Sequence, residues 1–99
     1  MQNQSWTAEE AAVYTGMGLA VVRLRGTRQM SQADLAREAG VDPSTLRAIE
    51  RGECDARWGT LRKVASALKT PLEAMMEMAE ELAPGVGRAA RREQGSDRE

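Results

Sequence analysis

The stretch that most constrains the fold is residues 31–52, SQADLAREAGVDPSTLRAIERG. Apolar residues recur in it at helical spacing, stop before Gly40 and resume after Asp42 and Pro43. Glycine readily adopts the left-handed conformation that ends a helix, and aspartate followed by proline is a favoured helix start. Two short helices joined by so tight a turn cannot bury their apolar faces alone. The stretch therefore predicts an all-α fold, in which further helices close a core beneath this pair.

The residues that face this core follow from the same spacing. Each helix repeats apolar side chains every three or four residues, which places them on one side of the helix. We expect the inner residues of the pair to be Leu35, Ala36, Ala39, Leu46 and Ile49. Ser31 is expected to cap the first helix, and Asp34 at the third helical position completes a weaker capping box.

The segment that precedes the pair is also helical in pattern. Thr7 and Glu10 have the spacing of a capping box, which predicts a short helix to about residue 14. A second pattern runs from about residue 17 to residue 28, with Ala20, Val21 and Leu24 on one face. Two glycines lie between the patterns and weaken a helix, so the sequence leaves open whether the two segments are separate or continuous.

Two more helices follow the pair. Apolar residues repeat at helical spacing from Trp58 to Leu68, and Thr70-Pro71-Leu72-Glu73 resembles a cap followed by a helix that runs to about residue 83. The predicted organisation is a capped helical extension over residues 1–16, a five-helix domain over residues 17–83 and a disordered tail over residues 84–99, which are rich in glycine and charge.

Composition excludes several classes of protein. The 99 residues include one cysteine and no histidine, so neither a disulfide framework nor a usual zinc site is expected. No apolar run approaches the ~18 residues of a membrane span, and no signal-peptide pattern opens the chain. No glycine-rich phosphate loop or acid–base pair suggests an enzyme. We expect a cytoplasmic protein without catalytic activity, metal or cofactor.

The lone Cys54 is most simply incidental, although its neighbours raise a second hypothesis. Arg51 and Arg57 lie close to it in sequence, and cationic side chains near a thiol lower its pKa and increase its reactivity. A redox-sensitive Cys54 is therefore the alternative.

Charge is distributed unevenly, although the net charge is only −1. Residues 20–63 contain nine Lys and Arg against six Asp and Glu, a local excess of three positive charges, whereas residues 70–83 contain four glutamates and no basic residue. Such asymmetry favours one face that binds an anionic partner. Charges scattered over a solvated surface would give a similar count.

The chain resembles the lambda-repressor and Cro-like family of helix-turn-helix transcription regulators over roughly residues 19–78. The resemblance implies a five-helix lambda-repressor-like domain, with the short N-terminal helical segment as an addition. Two positions depart from the family: Gln29 stands where glycine is common in a turn, and Pro43 stands where several members carry a base-contacting polar residue. The matching positions are Ser31-Gln32, Leu35-Ala36, Gly40-Val41, Leu46, Ile49-Glu50-Arg51-Gly52, Thr60-Leu61, Val64-Ala65, Ala67-Leu68 and Leu72-Glu73.

The second helix of the pair, residues 43–51, is the predicted reader of double-stranded DNA. On a helical wheel of ~100° per residue, Leu46 and Ile49 point to the core, and the polar residues point away. Arg47 lies mid-helix and is the predicted base reader, because arginine donates two hydrogen bonds to guanine O6 and N7. Arg51 is expected to hold a phosphate. The predicted DNA-contacting residues of this helix are Ser44, Thr45, Arg47, Ala48 and Arg51.

The resemblance assigns roles to three more residues. It implies that Gln32, at the start of the first helix of the pair, contacts a phosphate together with the N-terminal amides of that helix. It also implies a structural ion pair between Arg25 and Glu50, partly buried and without a role in reading DNA.

A homodimer is expected because one recognition helix touches too few base pairs to distinguish an operator from the many other sites of a genome. Two copies would bind a palindromic operator with half-sites about 34–36 Å apart and act as a repressor. The methionine-rich last helix is the predicted interface, and Val86 would extend it. Its predicted contact residues are Leu72, Met75, Met76, Met78, Ala79 and Leu82. They could instead cover the core of a monomer.

A different class of function also fits that helix. A protein-interaction module, such as an antitoxin or a co-regulator, would bind a partner protein through the same methionines, which adapt well to irregular surfaces. Strongly salt-dependent affinity for duplex DNA separates the two functions.

Overall fold

A computed structural model describes residues 5–84, and over these residues the chain forms five α-helices and no strand. The all-α fold predicted from the sequence is confirmed. Most of the predicted tail, with Val86, lies outside the described residues. None of the described helices combines the length and the apolar character needed to cross a membrane. The helices are α1 (Ala8–Thr27), α2 (Gln32–Ala39), α3 (Pro43–Glu50), α4 (Trp58–Ala67) and α5 (Leu72–Leu82).

The two N-terminal helical patterns form one continuous helix, so the extension over residues 8–16 is the first part of α1 rather than a helix of its own. Gly16 and Gly18 are buried within α1. A Cβ on Gly16 would collide with the carbonyl oxygen of Ala79 in α5, and one on Gly18 would lie 2.5 Å from the carbonyl oxygen of Ile49. The two glycines therefore bring α5 and α3 close to α1, and this packing outweighs their low helix propensity.

Most helix ends have the caps that the sequence predicts. The side-chain oxygens of Thr7 and Ser31 each accept a hydrogen bond from the third helical N–H of the helix that follows, and both capping boxes are complete. The capping role of Thr70 is wrong. Pro71 precedes α5 without a side-chain cap, because the Thr70 hydroxyl donates backwards to the carbonyl oxygen of Leu68 at 3.1 Å.

The core lies between the helix pair α2–α3 and the other three helices. All five inner residues predicted for the pair are buried, as are Ala20 and Val21 of α1. Leu68 and Met75 close the core from α4 and α5, and neither is exposed to solvent. Trp58, which continues the apolar spacing of α4 in the sequence, is instead 63% exposed.

The turn between α1 and α2 contains Gln29, one of the two departures from the family pattern. Gln29 adopts a left-handed conformation with φ +57°, which glycine adopts without steric cost. The backbone N–H of Met30 donates to the carbonyl oxygen of Arg25 at 3.0 Å and closes the turn. The turn therefore has a backbone geometry that favours glycine, although glutamine occupies the position.

Candidate nucleic-acid interface

The turn between α2 and α3 fixes how the second helix of the pair is presented. Gly40 ends α2 in the left-handed conformation, with φ +68°. The backbone N–H of Val41 donates to the carbonyl oxygen of Ala36 at 3.0 Å. Ala36 is buried, and its small side chain lets the helices approach closely. The geometry is that of a helix-turn-helix unit, with α3 as the second helix.

One side of α3 faces the core and the other faces solvent. Leu46 and Ile49 are buried, whereas Arg47 is exposed. The structure brings the predicted DNA-contacting residues of α3 to one outer surface. Ser44, Arg47 and Arg51 are exposed on it, and Thr45 and Ala48 are half-buried.

The N-terminus of α3 is organised by Asp42. Its carboxylate accepts a hydrogen bond from the backbone N–H of Ser44 at 2.8 Å and another from the Ser44 hydroxyl at 2.7 Å. The hydroxyl bond, followed by the backbone bond, lowers the pKa of Asp42 below its ordinary value. The Ser44 hydroxyl already donates its hydrogen bond to Asp42. Towards another molecule, the Ser44 oxygen can therefore act mainly as a hydrogen-bond acceptor.

Behind this surface, α1 and α3 are joined by the predicted ion pair. Nε of Arg25 lies 2.8 Å from Oε2 of Glu50, and Nη2 of Arg25 lies 3.1 Å from Oε1. The Glu50 side chain is only 6% exposed and that of Arg25 is 20% exposed. Nη1 of Arg25 also donates to the carbonyl oxygen of Met30 at 3.0 Å. One guanidinium therefore connects α1, α3 and the turn that leads into α2.

Gln32 takes part in the same network, which the sequence did not predict. Its Nε2 donates to Oε1 of Glu50 at 2.8 Å. The side-chain N–H₂ group that was expected to reach a phosphate is thus engaged inside the protein, with one of its two protons. The hydrogen bond ties the start of α2 to the end of α3 and holds the two helices in a fixed orientation.

Two further residues border the outer surface of α3. A shallow cleft is lined by Ser44, Thr45 and Ala48 from α3, and by Arg57 and Thr60 from the start of α4. Arg57 is exposed and adds a positive charge beside the helix. Sequence reasoning did not place either residue at this surface, because it considered Arg57 only as a neighbour of Cys54 and Thr60 only as a position that matches the family. The signal was a basic residue directly before the predicted helix start at Trp58.

The hypothesis of a reactive Cys54 is wrong. Burial raises the pKa of the Cys54 thiol, and the carboxylates of Asp55 and Glu53 raise it further. Arg51 and Arg57, which were expected to lower this pKa, do not outweigh these effects. At neutral pH the thiol stays protonated, which makes it a poor nucleophile.

The predicted contact residues of α5 divide into two groups. Met75 and Ala79 are buried in the core of the chain itself, so their side chains are not available to another molecule in this fold. Met76 is 43% exposed. The remaining three, Leu72, Met78 and Leu82, are half-buried and pack against the core.

Comparison with known families agrees with this geometry. A helix-turn-helix domain family matches residues 17–78, which is more than half of the 99 residues. The chain belongs to the helix-turn-helix family. The match contains the α2–turn–α3 unit, all of α4 and most of α5, and it begins within α1 at Met17.

The fold of this helix-turn-helix protein is also found among solved structures. It is similar to the clp gene regulator ClgR from Corynebacterium glutamicum, with a TM-score of 0.67 and 22% sequence identity. The similarity covers 86% of this chain and 87% of that one, and at this identity it shows the fold. A search of curated protein sequences gives no significant match.

Proposed function

We propose that this helix-turn-helix protein is a sequence-specific transcription regulator that inserts α3 into the major groove of double-stranded DNA. The observation that carries this function is the outer surface of α3, which exposes two arginines and a serine while Leu46 and Ile49 anchor the helix in the core. A B-DNA major groove is wide enough for one α-helix and presents a distinct pattern of donors and acceptors for each base pair.

Arg47 is the proposed base reader. It lies in the middle of α3, and its exposed guanidinium has no ion-pair partner among residues 5–84. A guanidinium that is not already paired can donate both of its parallel hydrogen bonds to guanine. Ala48 lies beside it on the same surface and suits contact with a thymine methyl group.

Phosphate contacts are proposed for the residues at the edges of that surface. Arg51 follows the C-terminus of α3, and Arg57 lies at the start of α4. For Gln32 we propose that the backbone N–H group contributes, since its side chain donates to Glu50. Helix N-termini attract phosphate oxygens through such free amides.

Binding as a homodimer to a palindromic operator is part of this function. Two α3 helices read twice as many base pairs as one. This gain is needed because a genome contains many non-specific sites that compete for the protein. We propose repression as the outcome, because occupying an operator is enough to exclude other proteins from that DNA. No catalytic step is included, and the proposed location is the cytoplasm.

The structure gives less support to a protein-interaction module that uses the last helix. Such a module needs exposed methionines on α5, yet Met75 is fully buried and only Met76 is well exposed. A partner protein would therefore find a smaller apolar surface there than the sequence suggested.

Selection of bound sequences from a pool of random duplex DNA tests the function and reads the operator in one experiment. The full chain should enrich a palindromic motif over successive rounds. A pool that stays random while the protein remains folded would contradict sequence-specific binding.

A further inference from the structure

A cavity of about 170 Å³ lies between α1, α4, α5 and the inner side of α3, and the proposed function does not use it. Ile49 of α3 lies at its floor and is 2% exposed, whereas Asp55 and Met76 are exposed, so the cavity opens to solvent. An apolar cavity of about 150 Å³ stays dry and binds benzene, so this cavity is large enough for a single ring. Its apolar lining consists of Val13, Met17, Ile49, Ala56, Leu61 and Met76.

The wall of the cavity favours an aromatic ring over an aliphatic group. Met17 of α1 and Met76 of α5 both line it. Thioether sulfurs make favourable contacts with aromatic rings, and the flexible methionine side chain adapts to the shape of what it contacts. Tyr14 adds an aromatic surface, and the ring of Trp6 packs edge-on against it with the centroids 4.4 Å apart. This second ring supports the Tyr14 side chain from outside the cavity.

The mouth of the cavity is acidic. Asp55 lines it, and no lysine or arginine of the described residues does so. Burial raises the pKa of Tyr14 and that of Cys54, and the carboxylate of Asp55 raises both further. Glu10 acts on Tyr14 and Glu53 on Cys54 in the same direction. Carboxylates near an opening of low polarity attract a cation, so the charge at this mouth complements a positively charged group.

We propose that this cavity binds a small aromatic amine, a molecule with one ring and a short chain that ends in an ammonium group. The ring occupies the apolar interior above Ile49, and the ammonium group lies beside Asp55, where it remains in contact with water. The inference goes beyond the proposed function and does not depend on it, since the lining contains none of the proposed DNA-contacting residues. Because Ile49 also anchors α3 in the core, the bound ring contacts this helix from behind.

Three ligands that share a phenyl ring and differ in charge test the chemistry of the site. NMR chemical-shift titration of the full chain at neutral pH is carried out with 2-phenylethylamine, 2-phenylethanol and phenylacetate. The amine should bind most tightly, with a Kd in the millimolar range or below as expected for so small a ligand. The alcohol should bind several-fold more weakly and the acid most weakly. The shifted amides should cluster at residues 13–17 and 54–56.

Two results of this titration overturn the proposal. One is an amine that does not bind, or whose shifts lie away from the cavity. The other is an alcohol or an acid that binds as tightly as the amine, because the mouth would then select no cation.

A charge-neutralising variant tests the contact with the ammonium group. Asp55→Asn should raise the Kd of 2-phenylethylamine by about two- to fivefold, the range of an exposed ion pair, and leave that of 2-phenylethanol unchanged. Glu38→Gln is the matched control, since Glu38 is an exposed carboxylate on α2 that does not line the cavity, and it should bind both ligands like the wild type. Equal affinity for the amine in Asp55→Asn and the wild type overturns the role of Asp55.

A cavity-filling variant tests the position of the ring. Ala56→Leu places a larger apolar side chain in the lining and should weaken the binding of both 2-phenylethylamine and 2-phenylethanol at least tenfold. Ala74→Leu is its control, because Ala74 is also half-buried but lines a different cleft on α5. Circular dichroism should show that both variants are folded. Unchanged binding by Ala56→Leu overturns the site, and the exposed Asp55 provides the test should Ala56→Leu not fold.

The inference and the proposed function fail in different experiments. A chain that binds its operator and none of the three ligands disproves the cavity site and leaves DNA binding intact. A chain that binds 2-phenylethylamine in the cavity and no duplex disproves the proposed function alone.

Discussion

Glu50 accepts three hydrogen bonds from two side chains on other helices, Arg25 of α1 and Gln32 of α2. Its carboxylate is almost fully buried, and removing the positive partner of a buried carboxylate leaves an uncompensated charge. This network therefore stabilises the orientation of α3 as well as the fold.

Substitution of the ion pair should show strong coupling. Arg25→Met should lower the free energy of unfolding by on the order of 3 kcal/mol, and Arg25→Met combined with Glu50→Leu should recover much of that loss. Urea denaturation of the two single variants and the double variant gives the coupling energy. Losses that simply add would contradict a coupled pair.

The cap of α3 predicts a dependence of stability on pH. The folded-state pKa of Asp42 is lowered by hydrogen bonds from Ser44, so the charged cap contributes its full stability above the unfolded pKa of about 3.9. That contribution is lost as the pH falls through the folded pKa. Asp42→Asn keeps the shape and removes the charge, so the wild type should be the more stable protein near neutral pH and lose this advantage in acid.

Thermal unfolding of both proteins from pH 7 downwards, with ~3.9 as the reference point, measures this effect. A difference in melting temperature that stays constant into the acid range would contradict the role of the ionised carboxylate.

Contacts between residues distant in sequence were the least predictable at this scale. The Arg25–Glu50 pair was expected only because the chain resembles a known family. The Gln32–Glu50 hydrogen bond joins residues 18 positions apart, and it depends on how α2 and α3 pack. Contacts between residues close in sequence were easier to predict, since the Thr7 and Ser31 caps follow directly from the residue spacing.

At the scale of the helices, the glycines of α1 have opposite roles. Gly16 and Gly18 pack against the backbones of α5 and α3, whereas a Cβ on Gly26 would meet no atom within 4 Å. The positions of these glycines can be read from the sequence, whereas the residues that pack against them cannot. For that reason the sequence could not decide between two short helices and one long one.

Alanine substitutions should separate the two kinds of glycine. Gly16→Ala forces a methyl group into the α5 backbone and should lower the free energy of unfolding by about 1–3 kcal/mol or more. Gly26→Ala, the matched control, should raise it by about 0.5–1 kcal/mol, because alanine favours the helix. Urea denaturation measures both, and similar effects from the two variants would contradict the close packing at Gly16.

The outer surface of α3 predicts two distinct effects on DNA binding. Arg47→Ala should cost about 1–3 kcal/mol at one base pair of the operator and relax the preference there. Arg51→Ala should weaken binding to all sequences by a similar factor, since a phosphate contact carries no base information.

Binding titrations with a set of single-base-pair operator variants measure both effects. If Arg47→Ala ranks these variants in the same order and by the same factors as the wild type, Arg47 is not a base reader.

At the scale of the whole molecule, the apolar surfaces were harder to assign than the fold. The last helix offered many methionines, and the sequence could not tell which of them the core would use. The structure buries Met75 and Ala79 and leaves Leu19 and Val22 of α1 exposed. The side of a helix that faces the core depends on every other helix, so this distribution follows from packing and not from one local pattern.

The affinity of the full chain for the selected operator and for a shuffled duplex of equal composition tests the central claim most directly. Fluorescence anisotropy at several salt concentrations should give an operator Kd at least ~10³-fold lower than that of the shuffled duplex. Both affinities should fall as salt rises, because phosphate contacts release counterions. Equal affinity for the two duplexes, or no binding at low salt, would contradict sequence-specific recognition by α3.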